Sequence, residues 1–415
     1  VRALIFTNKP LLEHPVDEWL AGADERPVAI VDRKVVEGGD EDRLSRAFER
    51  VVVVENFTSW ELELRAVELH ASVGYERIAA TTEFDVLRVA RIREFLGLPG
   101  QSVASALAYR DKCVMKAAVA QAGIYAAPFR PLDSPVDLLD HCASFGYPAV
   151  VKPRRLGGSM EVQILADDVA VEEFLAAGHV GVRGRWMVES FVPGHFHHVD
   201  GLMADGRVVH CWVSSYLRGN ADFLLAGRSV GGAMLARDDP RFDPLVALSR
   251  RVIAALPTSP EVRAFHLEAF VDGSDIVFCE IACRSGGGGI PGGHEHSFGI
   301  NLLAENLRGQ AGLAPLRPDA IGRPPGELTG FVLFPTRRGR LVWAPDSCPI
   351  EGVVDYQRCA GNGEIRNHPA NVADAVAHCL IAGSDGTSLW QRVVAADDWW
   401  TESVRWEALA PEPTG

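Results

Sequence analysis

The sequence predicts a mixed protein, α/β at its N-terminal end and α+β beyond it. Three observations carry that class. Short β-rich runs alternate with helical stretches over the first hundred residues, a capped helix then leads into a strand that ends on a lysine, and a long hairpin follows with two glutamates on one face. At 415 residues the chain is long enough for two or three cores, since single cores stop growing near ~250–300 residues.

The runs at 3–6 (ALIF), 28–31 (VAIV) and 51–54 (VVVV) read as strands of an open α/β unit closed by LGLPG at 96–100. No Gly-rich fingerprint follows the first strand, so a dinucleotide site is not expected there. A helix is predicted from Arg110 through Lys116 towards Gly123. Ser134 and Pro135 open another as N-cap and first residue, and Gly146 stops it. Residues 149–152 then form a short buried strand ending at Lys152, with further strands at 160–165 and 186–192. The Pro-rich stretch 315–325 marks a boundary, after which strands at 329–334 and 350–356 and a helix at 371–382 are expected.

Charge narrows the function classes. The net charge of −14 disfavours general binding to nucleic acid or to an anionic membrane, which rests on dense positive charge. No apolar run reaches the ~18 residues of a membrane span, and the opening VRALIF is too short for a signal peptide. Eight cysteines without a CxxC read as free thiols, so a cytoplasmic location is expected. The pairs Arg154-Arg155 and Arg337-Arg338 read as solvated basic spots. Only five of the 41 basic residues are lysines, namely Lys9, Lys34, Lys112, Lys116 and Lys152.

The hairpin is the sharpest signal. Residues 266–284, HLEAFVDGSDIVFCEIACR, read as two strands around a three-residue Gly273-Ser274-Asp275 loop. That register sets Phe270 opposite Phe278 and Glu268 opposite Glu280. Carboxylates facing each other across a ladder repel, so a cation is expected between them. A hard divalent ion such as Mg²⁺ suits two carboxylates, with substrate phosphate and water completing its shell. Arg284 falls on the same face, within reach of a phosphoryl oxygen. A hairpin that merely turns two glutamates to solvent is the plain alternative.

Lys112 in RDKCVMK, Lys152 in YPAVVKP, the LGGSM loop at 156–160, MVESFVPG at 187–194 and this hairpin follow one another in an order that resembles the ATP-grasp superfamily of carboxylate ligases. The resemblance implies a pre-ATP-grasp domain at 1–108, an ATP-grasp core at 109–312 and a mixed C-terminal segment at 313–415. Within the core it implies a lid of about 113–188 and a metal and substrate lobe of about 189–312. By the same resemblance Lys112 and Lys152 hold the ATP phosphates and Gly157, Gly158 and Ser159 cover them. Glu189, Ser190, Phe191 and Val192 read the adenine, Glu268 and Glu280 hold Mg²⁺ or alternatively Mn²⁺, and Arg284 serves catalysis together with Lys152. Arg284, Gly286, Gly287, Gly288 and His294 then face the substrate. Two positions depart from the pattern: Ala282 replaces a metal-binding Asn, and Phe196 replaces a ribose-binding acid, which would pass ribose contact to Asp200 or a nearby histidine. His195, His197 and His198 read as ordinary strand histidines.

Within the superfamily, the LGLPG…RDK beginning and the EIxxRxGGGG ending look most like the L-amino-acid ligase branch. The implied activity joins a small-molecule carboxylate to an amine through an acyl phosphate, with natural-product biosynthesis as its setting. A carboxylase, a purine-type carboxylate–amine ligase and an inactive ATP-binding protein are the alternatives, and a homodimer is the assembly considered.

Overall fold

A computed structural model describes residues 1–179, 183–219, 227–369 and 374–409. The N-terminal unit is a parallel sheet of β1 (Ala3–Thr7), β2 (Val28–Asp32), β3 (Arg50–Val54) and β4 (Arg77–Ala80) in the order β3-β2-β1-β4. Helices cover both faces, giving one apolar cluster around Ile5, Ala29 and Val31 and another around Leu4, Phe6 and Ile30. Alternate residues of the same strands thus feed opposite cores, which is why these runs are apolar throughout.

A second sheet has four strands and is antiparallel throughout. It contains β5 (Phe129–Leu132), β6 (Ala149–Pro153), β7 (Gln163–Leu165) and β8 (Trp186–Ser190) in the order β5-β8-β6-β7. The helix Pro135–Phe145 packs on it with a capping box between Ser134 and Asp137, and Asp167 caps the helix Asp168–Ala176.

The largest sheet has eight strands. They are β9 (His195–Ala204), β10 (Arg207–Tyr216), β11 (Val230–Met234), β12 (Arg263–Asp272), β13 (Asp275–Ala282), β14 (Leu328–Pro335), β16 (Val353–Arg358) and β18 (Ala375–Gly383). Their order is β13-β12-β9-β10-β11-β14-β18-β16, and every pairing is antiparallel. A small sheet of β15 (Gly339–Trp343), β17 (Ile365–Arg366) and β19 (Arg405–Glu407) completes the C-terminal part. The helix Gly386–Ser403 closes over β14, with Trp400 stacked on Phe334 at 4.4 Å.

Several expectations change here. The stretch expected as a helix at 371–382 is the strand β18 from Ala375, while 371–373 lie outside the described residues. Flanked by β14 and β16 and largely buried, that strand lacks the polar alternation that would mark it as one. The predicted helix at Arg110 is two helices, Val103–Arg110 and Lys112–Gln121, broken at Asp111. The Asp111 side chain caps the second by accepting from the N–H groups of Cys113 and Val114. Arg154 and Arg155 are paired as well as solvated, Arg155 remaining half exposed. Both clamp the fully buried Asp111 carboxylate, at 2.9 and 3.0 Å.

The hairpin differs in its turn. Asp272 pairs with Asp275 across a two-residue Gly273-Ser274 loop, so Phe270 faces Val277 and Phe278 faces Ala269. A bulge at Cys279 then restores the register, and Glu268 does face Glu280.

Candidate functional site

A cavity of about 740 Å³ lies between the four-stranded antiparallel sheet and the eight-stranded sheet, with His14 and Glu83 reaching it from the N-terminal unit. Of the candidate residues, Lys112, Lys152, Gly157, Gly158, Ser159, Glu189 to Val192, Glu268, Glu280, Arg284 and Gly286 to Gly288 all line it. His294 does not. It sits buried on the helix Ile290–Phe298, its ring 5.9 Å from that of His210 and 5.3 Å from Phe298, and burial lowers its basicity.

The cations arrive on rigid elements. Lys112 is the first residue of its helix, and its ammonium reaches Glu280 at 3.2 Å and the Leu156 carbonyl at 2.6 Å. Lys116, one turn on and on the same helix face, is fully buried and meets Glu189 at 3.1 Å. Lys152, near the end of β6, meets the other oxygen of Glu189 at 2.6 Å. Burial alone would push the Glu189 carboxyl up, but the two lysines outweigh it and hold it at about 2. Burial likewise works against the Lys152 charge, and Glu189 more than offsets it, raising that ammonium above its ordinary range.

The expected cation between the two hairpin glutamates is supplied in part by the chain itself, separately for each. Glu280 has Lys112. Glu268 accepts from the Tyr216 hydroxyl at 3.0 Å and lies 3.4 Å from His266 Nε2. The other nitrogen of His266 faces Asp200 at 2.9 Å, and Asp200 also bonds His198. Burial pushes His266 down, but Asp200 and Glu268 raise it to about 10, so the ring is an imidazolium between two carboxylates. Asp200, considered for ribose contact, is wholly buried in this network and absent from the cavity wall. Phe196 lines the cavity instead, stacked between Tyr216 at 5.1 Å and Phe270 at 4.5 Å.

One atom from each of Glu268, Glu280 and Cys279 falls within 4.8 Å of the others. Burial pushes the Cys279 thiol up to about 12, so it stays protonated and leaves two hard carboxylates as the donors. That donor set fits Mg²⁺ or Mn²⁺ and disfavours a soft, thiolate-seeking metal.

Two charged residues that brace the site escaped the sequence, Glu83 on the cavity wall and Lys116 behind it. Lys116 carried a signal, being four residues from Lys112 in a lysine-poor chain. Glu83 carried none. It comes from the N-terminal unit, accepts from Arg284 Nε at 2.7 Å and also bonds Arg110. Burial opposes its charge, but Arg284 and Arg110 bring the carboxyl to about 2. Glu83 thereby fixes the guanidinium that sequence assigned to a phosphoryl oxygen. Over this corner runs the 157–161 loop, where Gly158, Ser159 and Glu161 all take φ near +60°.

Comparison with known proteins adds to this geometry. An L-arginine-specific L-amino acid ligase of Bacillus subtilis is 26% identical over 302 residues, which are 70% of this chain and 69% of that protein. The crystal structure of an L-amino acid ligase from Bacillus licheniformis superposes with a TM-score of 0.74 over 99% of both chains, at 17% identity. A carboxyaminoimidazole ribonucleotide synthase from Aspergillus clavatus, complexed with ATP, gives 0.69 over 96% of this chain and 99% of its own, at 14% identity. The biotin carboxylase domain of a Hydrogenobacter thermophilus 2-oxoglutarate carboxylase, solved with MgADP, gives 0.67 over 98% and 91%, at 15% identity. No family model matches the chain.

Proposed function

The chain has the ATP-grasp fold, and on that premise we propose that it is an ATP-dependent ligase joining the carboxylate of an amino acid to an amine, with release of ADP and phosphate. One observation carries the reading: a single cavity gathers two lysines, a glycine-rich loop, a strand end suited to a purine, two facing carboxylates, an arginine and a glycine run. An L-amino acid ligase is also the relative found by sequence. The carboxylase and purine-pathway neighbours share the fold at lower structural similarity.

The residues divide the work. Glu189 to Val192 offer backbone groups to the adenine, while the Glu189 carboxylate is taken by Lys116 and Lys152, and Val150 and Phe270 also line the cavity. Lys152, held by Glu189, and Lys112 present point charges to the phosphates. Gly157 lacks a side chain where a Cβ would stand 3.2 Å from Glu83, so the loop backbone lies close over the charged corner. Closed over the phosphates, this loop keeps water from the reactive acyl phosphate. Mg²⁺, held by Glu268 and Glu280, supplies charge neutralisation for the transferring phosphoryl group when bound. The substrate carboxylate attacks the γ-phosphorus and ADP leaves. The amine then attacks the acyl carbon, and phosphate departs under the hold of Arg284 and the N–H groups of Gly286 to Gly288.

The setting proposed with this activity is natural-product biosynthesis in the cytoplasm, on the resemblance alone, with a homodimer as the assembly to measure. The direct test incubates the chain with Mg·ATP and pools of amino acids, following ADP and the mass of any product. Release of ADP together with a condensed product supports the reading, and silence in every pool refutes it.

A further inference from the structure

The cavity has a half that the nucleotide machinery leaves unused. Val230 on β11, Ile290 at the start of its helix, and Phe331 and Leu333 on β14 are buried, line the cavity, and pack as a cluster separate from the main core. Tyr216 joins this alcove to the chemistry, since its ring belongs to the same cluster while its hydroxyl touches Glu268. The glycine run lies directly against the apolar wall. A Cβ on Gly288 would stand 3.0 Å from Leu333 Cδ1, and one on Gly289 would stand 2.3 Å from Phe331 Cβ. Side chains are thus excluded there, and a substrate beside the glycine run lies next to both the apolar wall and Glu268.

Charge decides what can enter. Four carboxylates line the cavity, and each already has a partner in the chain: Glu83 has Arg284 and Arg110, Glu189 has Lys116 and Lys152, Glu280 has Lys112, and Glu268 accepts from the Tyr216 hydroxyl and lies beside His266. The lining cations are engaged in the same way, Arg218 by Asp397 at 2.6 Å. Among the described residues every lining carboxylate and every lining Lys or Arg is committed to a partner in the chain or, on the ligase reading, to the metal and the phosphates, and none of them stands on the apolar wall itself. A charge placed against Val230, Ile290, Phe331 and Leu333 would be desolvated without a partner.

We propose that this alcove receives the side chain of the amino acid whose carboxylate is activated, and that this side chain is apolar and uncharged. The inference rests on the ligase reading above and narrows it. It sets this chain apart from its Bacillus subtilis relative, whose name specifies L-arginine.

Hydroxylamine in place of the amine isolates the acyl side of the reaction. Its nitrogen attacks the acyl carbon, the bond from that carbon to the phosphate oxygen breaks, and the displaced proton passes to water, leaving a hydroxamate that is read by colour. With Mg·ATP and single amino acids, kcat/KM for valine, leucine, methionine or phenylalanine is expected to exceed that for arginine, lysine, aspartate and glutamate by on the order of 100-fold. Leu333→Ala should lower kcat/KM for leucine roughly 10-fold, mainly through KM. Leu333→Glu should raise arginine relative to leucine. Arginine or glutamate used as well as leucine by the unaltered protein overturns the inference and leaves the ligase reading standing. Silence towards all amino acids, with ATP binding intact by calorimetry, overturns the ligase reading and the inference with it. The panel on the unaltered protein decides alone if either variant fails to fold.

Discussion

Replacing the two facing glutamates one at a time separates their structural and chemical roles. Repulsion across the ladder, taken alone, would let either Glu→Gln change leave the fold as stable as before or make it more so. The structure predicts an asymmetry instead. The Glu268 carboxylate is 9% exposed, bonds Tyr216 and faces an imidazolium that is itself buried. Glu268→Gln removes one charge-assisted contact from His266, a loss of about 1.5–3 kcal/mol for a buried charged group. Glu280 is 23% exposed and has one ion pair, to a lysine that keeps a second partner in the Leu156 carbonyl. Its loss should remove less than about 1 kcal/mol, because solvent screens the pair. Denaturant unfolding of both variants should therefore differ by about 1–2 kcal/mol with Glu268→Gln the weaker, while both lose about 100-fold or more in ATP-dependent phosphate release. Equal stabilities would refute the His266 assignment, and more than a tenth of the activity in either variant would refute the role of the pair.

Three further outcomes follow from the same geometry. Lys116→Met leaves the buried Glu189 with one cation and should cost about 3 kcal/mol; the Lys116→Met, Glu189→Gln double variant should be less destabilised than the sum, as a thermodynamic cycle will read. Gly286→Ala would place a Cβ 2.7 Å from Asp200 Oδ1 and 2.9 Å from His266 Nδ1, so a loss of about 1–3 kcal/mol with near-complete loss of activity is expected in unfolding and turnover assays. Glu83 and Glu189, both near 2 against an ordinary 4.5, contribute stability that is complete above 4.5 and drains as pH falls towards 2. Urea midpoints of the unaltered protein and Glu83→Gln should therefore be well apart at pH 7 and converge below pH 3.

The sequence made the site more legible than the fold around it, for a physical reason. Lysines and facing carboxylates are expensive to bury without purpose, and glycines mark unusual backbone or close approach, so their positions carry information one residue at a time. Strands such as β18 do not, because burial on both faces erases the alternation that distinguishes strand from helix. The hairpin shows how a right result can hide two compensating errors. The loop is one residue shorter than read, the Cys279 bulge adds that residue back, and only the pairs between loop and bulge, Phe270 among them, are displaced. Glu83 was beyond reach altogether, since nothing local distinguishes a glutamate whose partner lies 201 residues away. His294 looked like a site residue because it follows the glycine run, but the helix begins at Ile290 and carries it into the core.

The charge balance of the chain also changes meaning inside the cavity. The net −14 is a property of the whole chain, whereas the carboxylates lining the cavity are held by partners in the chain. Three of the five lysines, Lys112, Lys116 and Lys152, belong to these pairs. They are not equivalent. Lys116 and Lys152 grip the two oxygens of one buried carboxylate, and removing either leaves a charge without water to solvate it. Lys112 is tied to the more open Glu280 and to the carbonyl of Leu156, the residue before the loop glycines. A phosphate entering the cavity competes with Glu280 for this one ammonium at modest expense, because both alternatives keep it paired. The same ammonium anchors the base of the 157–159 loop, so on the proposed ligase reading the cation most easily shared with a nucleotide is the one that joins the phosphates to the loop that covers them.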